Sequence, residues 1–408
     1  MRSIKLTILV LLSFSGISAA SAEPLKVAII ESLSGSQASS GQLIATSTHY
    51  VFDRVNEDGG YNGEPVEVAE YDNGGTSSGA SSMFRRAVAD GVNVVVQGAS
   101  SLVAGQLMED VRRHNIRNPD NKILYINTAS EALELRGGKC HYHAFHFSAT
   151  GPMRIKPLLQ VMHEEGDLGK RVYAINQNYS WGREILAAVE EGAREHGFEI
   201  VGRDLHDVNR IQDFSPYVAK IQSASPDSVI TGNWSNDLLL LMKAVNNAQL
   251  EVRFGTVFLD QPGSVGSAGS SVEGSYVVHM SNLELLDSEV IEDYKTATGH
   301  YPAYAEPGTV NAMMFLMKAL KTTDFDNGPI DIDAVASALE KVSYDNGIGI
   351  MRIRHEDHQV VMPMVVSRAQ KGARFPVDGT NIGFVPIEVI EGDEAVAPVQ
   401  DSCDMKRP

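Results

Sequence analysis

The sequence predicts an α/β protein of two Rossmann-like lobes with parallel sheets. Short β-rich runs alternate with amphipathic stretches of helical length, and this alternation is run through twice. The 408 residues, 43% of them hydrophobic, suffice for two cores. Strand-helix alternation places crossovers on both faces of a sheet, so neighbouring strands run parallel and are buried on both sides.

The first series has strand runs at 26–30, 66–71, 92–96 and 123–126, with helical stretches at 41–57, 77–90 and 101–114 between them. The second has strands at 171–175, 198–201, 228–231 and 254–258, with helices at 182–196, 214–223 and 236–247. Beyond these, 275–278 reads as a strand, 288–298, 310–320 and 333–341 as helices, and 351–354 with 360–366 as a hairpin around His355 to His358. The late segments most economically complete both lobes, so the chain is expected to cross between them near Ser148, His279 and Tyr344. This divides it into a first lobe of 23–147 plus 280–344 and a second of 148–279 plus 345–408, joined by a three-segment hinge that favours rigid-body closure.

The N-terminal end reads as an export signal. Arg2 and Lys5 precede an apolar run from Leu6 to Ile17, and Ala20-Ser21-Ala22 supplies small residues for cleavage after Ala22. Cleavage takes the formal charge from −18 to −20, the wrong sign for nucleic acid or anionic lipid. No later run reaches the ~20 apolar residues of a membrane span. The expectation is an exported protein in a periplasm. Two cysteines exclude any four-cysteine metal site, and an oxidising compartment makes Cys140 and Cys403 a candidate disulfide.

In open α/β sheets ligands bind beyond the carboxyl ends of the strands. In the first lobe this selects the loops holding Ser34 to Gln37, Asp72 to Gly75, Ala99, Ser100 and Ser101, and Thr128 and Ser130. Such residues cap helices whose N–H groups can receive a carboxylate. In the second lobe the rule selects Tyr179 with Trp181, then Trp234, then Asp260 with Gln261. Both tryptophans of the chain fall here, suited to clamp an apolar or aromatic body, and Asp260 to meet an ammonium. Packing over helix starts and simple capping account for the same residues.

The run Asn56-Glu-Asp-Gly-Gly-Tyr-Asn-Gly-Glu-Pro65 resembles the helix-to-strand turn of periplasmic binding proteins of branched-chain amino-acid type ABC transporters. The segments 33–35, 179–182 and 213–221 resemble further motifs of that family, and 140–145 resembles one branch of it. The likeness follows the whole mature chain in order. It implies the type I, leucine-binding-protein-like fold, no cofactor, and a membrane permease as partner. It further implies that the loop of Ala99, Ser100 and Ser101, with Thr128 and Ser130, receives a carboxylate, and that Trp181 and Trp234 hold the family's aromatic positions. The ammonium partner aligns to Asp260 or Gln261. Departures at the first loop, and Trp234-Ser235 in place of paired tyrosines, leave the side-chain pocket and the ligand open. Tyr304 and Glu306 follow a proline in a segment expected near the cleft.

Other constellations compete. Gly75-Thr-Ser-Ser-Gly79 fits a nucleophile elbow with Ser77, but a loose loop separates it from its strand. His141 and His143 alternate as strand metal ligands would, with His146 a third only if the strand bends, and no second ligand cluster accompanies them. No phosphate-binding glycine motif is present. The expected function is a non-enzymatic receptor for an amino acid or an amide- or aromatic-acid-like solute, serving an importer. The alternatives are a sensor subunit on the same fold and a secreted hydrolase using Ser77.

Overall fold

The computed structural model describes residues 23–208, 210–323 and 328–408; the expected signal segment, 1–22, lies outside them. The first sheet is parallel and five-stranded: β1 (Lys26–Glu31), β2 (Glu67–Asp72), β3 (Val94–Gln97), β4 (Leu124–Asn127) and β5 (Ala144–His146), in the order β2-β1-β3-β4-β5. Its strands alternate between two cores, as a period of two requires. Val27, Val94, Val96, Leu124 and Ile126 enter one core with Ile44, Val51 and Phe52 of α1 (Ala38–Glu57). Ala28, Ile30, Val95 and Tyr125 enter the other, with Phe84 of α2 (Ser77–Ala89) and Leu107 and Val111 of α3 (Ser101–Arg117).

The chain then passes to the second lobe through α4 (Gly151–Glu164). Sequence periodicity assigned no helix there, because Pro152 and Pro157 interrupt the pattern. Pro152 sits in the first turn, where a missing N–H costs nothing. Pro157 lies inside the helix and is tolerated because Leu158, Leu159 and Met162 around it are fully buried.

The second sheet has seven strands in the order β15-β14-β10-β9-β8-β6-β7. Its parallel part comprises β6 (Arg171–Gln177), β7 (Glu199–His206), β8 (Ser228–Thr231), β9 (Arg253–Thr256) and β10 (Tyr276–His279). The helices α5 (Ser180–His196), α6 (Ser215–Ala224), α7 (Ser235–Asn247) and the short α8 (Ser264–Ala268) belong to this lobe. After β10 the chain returns to the first lobe, where α9 (Ser288–Thr298) and α10 (Glu306–Leu320) pack along α1; Tyr50 stacks obliquely on Tyr294, and Arg54 pairs with Asp293 at 2.6 Å. The helix α11 (Ile332–Leu339) follows.

The last segment departs from the expected division at Tyr344. The strands β11 (Ser343–Asp345), β12 (Ile350–Ile353) and β13 (Val360–Val361) form a small antiparallel sheet of their own, and Gln359 bridges to His146 of the first lobe. The expected strand run 360–366 is split at Pro363, which cannot donate to a ladder. The chain joins the second sheet only beyond it, as the antiparallel pair β14 (Met364–Lys371) and β15 (Ile382–Ile390). The tail does not stay in the second lobe either. Arg354 donates to Ala397 O at 2.6 Å, and Cys403 is disulfide-bonded to Cys140 of the first lobe with a Cα separation of 5.6 Å. The tail is thus a further link between lobes.

The disulfide closes a sequence separation of 263 residues, so it removes much freedom from the unfolded chain. Cys140→Ser with Cys403→Ser lowers stability by about 2–4 kcal/mol, read as a shift in the denaturant midpoint that reductant reproduces in the parent protein. Among the described residues no helix is long and apolar enough to cross a membrane.

Candidate ligand cleft

Strand order reverses at β1 in the first sheet, which has β2 on one side and β3 on the other, and at β6 in the second, between β7 and β8. The loops leaving these strands therefore diverge to opposite faces and leave a crevice at each sheet's carboxyl edge. Two glycines let helices start hard against those edges. A Cβ at Gly41 would lie 2.2 Å from Ser32 O, and one at Gly182 would lie 1.8 Å from Gln177 O. The second contact seats the start of α5, and with it Trp181, over the end of β6.

The two edges face each other across a narrow cleft. On the first-lobe side it is lined by Gly98, Ala99, Ser100, Ser101, Ala129, Ser130, Glu131 and Tyr304; Tyr179, Trp181, Trp234 and Phe258 line the second-lobe side. Ser100 caps α3 with an extended backbone but no side-chain cap bond, and Ser101 Oγ instead accepts from Ala132 N at 3.2 Å. The first-turn N–H groups of α3 consequently keep their capacity for an anion. Ser130 Oγ donates to Gly98 O at 2.8 Å and holds the two first-lobe loops together.

The opposite wall is aromatic. Trp181 Nε1 donates to Gly232 O at 2.8 Å, and Trp234 Nε1 donates to Tyr179 Oη at 2.8 Å, so both indoles are fixed through their one polar atom. Burial raises the Tyr179 hydroxyl far above its ordinary value, which keeps it neutral. Phe258 lies 5.6 Å from Trp181 and 5.2 Å from Tyr304 between ring centroids, closing the box. Two residues beside the cleft, one from each lobe, hold left-handed backbone that side chains rarely adopt, Ser235 at φ 53° and Tyr304 at φ 54°. Ser235 Oγ reaches across the lobes to Ser36 O at 3.0 Å.

Seven of the eleven residues expected at the site therefore line one cavity: Ala99, Ser100, Ser101, Ser130, Tyr179, Trp181 and Trp234. The other four are placed elsewhere. Thr128 is buried beneath the loop, where a Cβ on Gly98 would come within 2.6 Å of its hydroxyl. Asp260 turns away to His279, 3.3 Å from Nδ1, and lines a neighbouring hollow with Pro302 and Phe384. Gln261 accepts from Ser235 N at 2.5 Å and so supports the start of α7. Glu306 is fully buried at the start of α10, taking bonds from Tyr294 Oη at 2.5 Å, His300 Nε2 at 2.8 Å and Ala303 N at 2.9 Å. Its carboxylate is consumed by the fold, whereas Tyr304, two residues earlier, reaches the cleft.

Three carboxyl groups at the cleft had no sequence signal. Glu31 ends β1 wholly buried, and its carboxylate accepts from Gly98 N, from Ala99 N at 3.0 Å and from Ser32 N at 3.1 Å. Burial pushes it up to about 7 against the pull of those bonds. Glu131 pairs across the lobes with Arg154 of α4, which also donates to Val278 O at 2.7 Å; both side chains are buried. Burial raises the Glu131 carboxyl, and the Arg154 guanidinium draws it back down. Glu184 of α5 accepts from Leu133 N at 2.6 Å, and burial raises it to about 7.

The competing constellations have ordinary places. Ser77 Oγ donates to Leu102 O at 3.3 Å, with no histidine among its partners. His143 bonds Asp333 at 2.6 Å and His146 bonds Asn127 at 3.0 Å, while burial takes His141 down to about 3. No group of three or more metal-ligating side chains occurs among the described residues.

Residues 24–374 match the model of the periplasmic binding protein family. The chain belongs to that family. Among similar periplasmic binding proteins, Leu/Ile/Val-binding protein homolog 4 of Brucella melitensis is 49% identical over 400 residues, 97% of this chain and 96% of that one. The Leu/Ile/Val-binding protein of Escherichia coli is 25% identical over 280 residues, 67% of this chain and 71% of the other. A leucine-, isoleucine-, valine-, threonine- and alanine-binding protein from Brucella ovis, solved in a closed conformation, matches with TM-score 0.88 at 49% identity, covering 95% of this chain and 100% of that one. A solute-binding protein of Rhodopseudomonas palustris in complex with benzoate shares the fold at TM-score 0.77 and 17% identity, covering 92% and 99%. This chain is thus a periplasmic binding protein of the branched-chain amino-acid transporter type, and its relatives are solute-binding proteins.

Proposed function

We propose that the protein captures a small carboxylate with an apolar body, an aliphatic amino acid foremost, by closure of its two lobes in the periplasm and delivers it to an ABC permease. The observation that carries this is the pairing of walls: the start of α3, without a side-chain cap bond, faces a box of aromatic rings across the cleft. The carboxylate meets the N–H groups of α3 with Ser100 and Ser101. The aliphatic body packs on Trp181, Phe258 and Tyr304. An ammonium is served by the ring faces and by Glu131, the one carboxylate lining the cavity among the described residues. The amino-acid preference rests on the 49% identity to the Brucella ovis protein and the amino acids that protein is named for.

Closure follows from differential contact. An open form gives the ligand one wall, a closed form gives two, and the population shifts by that difference. The test is isothermal titration of the mature protein with leucine, valine, alanine, benzoate and leucinamide. Leucine binding with leucinamide silent is the expected pattern, because the amide lacks the anion. Equal binding of leucine and leucinamide would remove the carboxylate reading, and binding of benzoate alone would move the ligand class to aromatic acids. Delivery to a permease is tested by loss of uptake of the bound solute on deletion of the gene.

A further inference from the structure

Beneath the loop that receives the carboxylate lies a second carboxyl group. Glu31 Oε1 takes the N–H groups of both Gly98 and Ala99, the two residues that lead into the cap of α3. These donors are thereby withdrawn from the cavity and the loop is held from below, so that the N–H groups left for a ligand are those of the helix itself. The loop also has no room to move inward, since a Cβ at Gly98 would already meet Ala129 N at 2.8 Å.

We propose that Glu31 is a positioning residue for the ligand's carboxylate, holding the 98–99 backbone in place and setting the strength of anion binding through its own charge. This rests on the carboxylate reading of the cleft. A second anion one peptide unit or two above an ionised, wholly buried Glu31 is repelled through a medium that screens weakly, whereas a neutral Glu31 keeps its acceptor oxygen and loses the repulsion. Its neighbours do little to offset this. On β2 the residue in register is Asp72, itself acidic and already bonded to Leu33 N and Gly74 N. Across β3 stands Tyr125 of β4, whose hydroxyl shares a hydrogen bond with Gln97, with the Arg136 guanidinium beyond it turned to Ser130 O, Ser148 and Gln359. None of the bonds that Glu31 accepts comes from a cationic side chain.

The sign follows from linkage. With the free carboxyl near 7 and raised further by the bound anion, binding takes up a proton, so affinity is level below pH 7 and falls above it, by at most tenfold per pH unit. Glu184 is the other carboxyl lifted to about 7, and it spans the lobes, so it serves as the control. The experiment titrates leucine and, because it has no group of its own titrating in the range, benzoate into the protein, Glu31→Gln and Glu184→Gln from pH 6 to 8.5. The expected result is a Kd that rises with pH in the parent protein and in Glu184→Gln but stays flat in Glu31→Gln. Calorimetry of the parent protein in buffers of different ionisation heat reads the proton uptake directly, whether or not the variant folds. A flat Kd with no proton uptake, or a slope that survives in Glu31→Gln and vanishes in Glu184→Gln, overturns the proposal while leaving the carboxylate reading intact. Failure of both probes to bind overturns both.

Discussion

Replacing Arg154 with methionine lowers the stability of the protein by about 3–5 kcal/mol, the largest effect expected of any single polar substitution in it. The guanidinium is buried, spends three of its nitrogens on Glu131 and Val278 O, and lies 5.5 Å from the Phe258 ring. Methionine fills much of the volume but leaves Glu131 without its cation. The stranded carboxyl then answers by taking a proton, which sets the direction of the pH effect. Its folded value lies above its unfolded one, so the folded state holds the extra proton between the two, and stability falls as pH rises through that interval. Urea unfolding should therefore find a larger deficit at pH 8 than at pH 5. Adding Glu131→Leu should recover most of it, because an apolar pair of similar size carries no desolvation cost. An equal deficit at both pH values would count against an ionised Glu131.

Trp181→Ala should weaken solute binding by about 30- to 1,000-fold, the 2–4 kcal/mol range of a buried aromatic anchor. The side chain is buried, fixed by its bond to Gly232 O, and forms the contact between the cleft and Phe258. Trp181→Phe keeps a ring face and gives up the N–H, and should retain most of the affinity. Truncation also opens a cavity in the second lobe, costing about 3–5 kcal/mol of stability. Affinity and unfolding are therefore measured on the same samples, under conditions where the variant remains folded. If Trp181→Ala binds leucine and benzoate as the parent protein does, the aromatic wall is not part of the site.

Much of the scaffold was legible in the sequence because its strands are short apolar runs buried on both faces. Runs such as 94–96 and 228–231 carry their own signal, as does the amphipathic α5. The helix α4 was hidden by two prolines whose cost is met by packing, and packing is not written locally. At the site, residues on strand-end loops were found where backbone course alone decides position, as with Ser100, Ser101, Trp181 and Trp234. Asp260 and Glu306 sit on the right segments but face other partners, His279 in one case and Tyr294 with His300 in the other. Side-chain direction in a loop is settled by such tertiary partners. Glu31, Glu131 and Phe258 gave no warning for the same reason: Glu31 looks like an ordinary strand-end residue until the 98–99 loop folds onto it, and Glu131 and Phe258 look like ordinary loop residues until the opposite lobe is present.

The order of the chain has a consequence for its synthesis. All five strands of the first sheet have been made once His146 is complete, yet α10, which packs along α1 and sets Phe315 against Phe147 at 5.1 Å, begins only at Glu306. At ~5–20 residues per second, the intervening 159 residues take about 8–32 s to produce. Throughout that interval Ile44, Phe52 and Phe147 lack Met313, Phe315 and Leu316, with which they share a core. The nascent first lobe is then an apolar surface waiting for its cover.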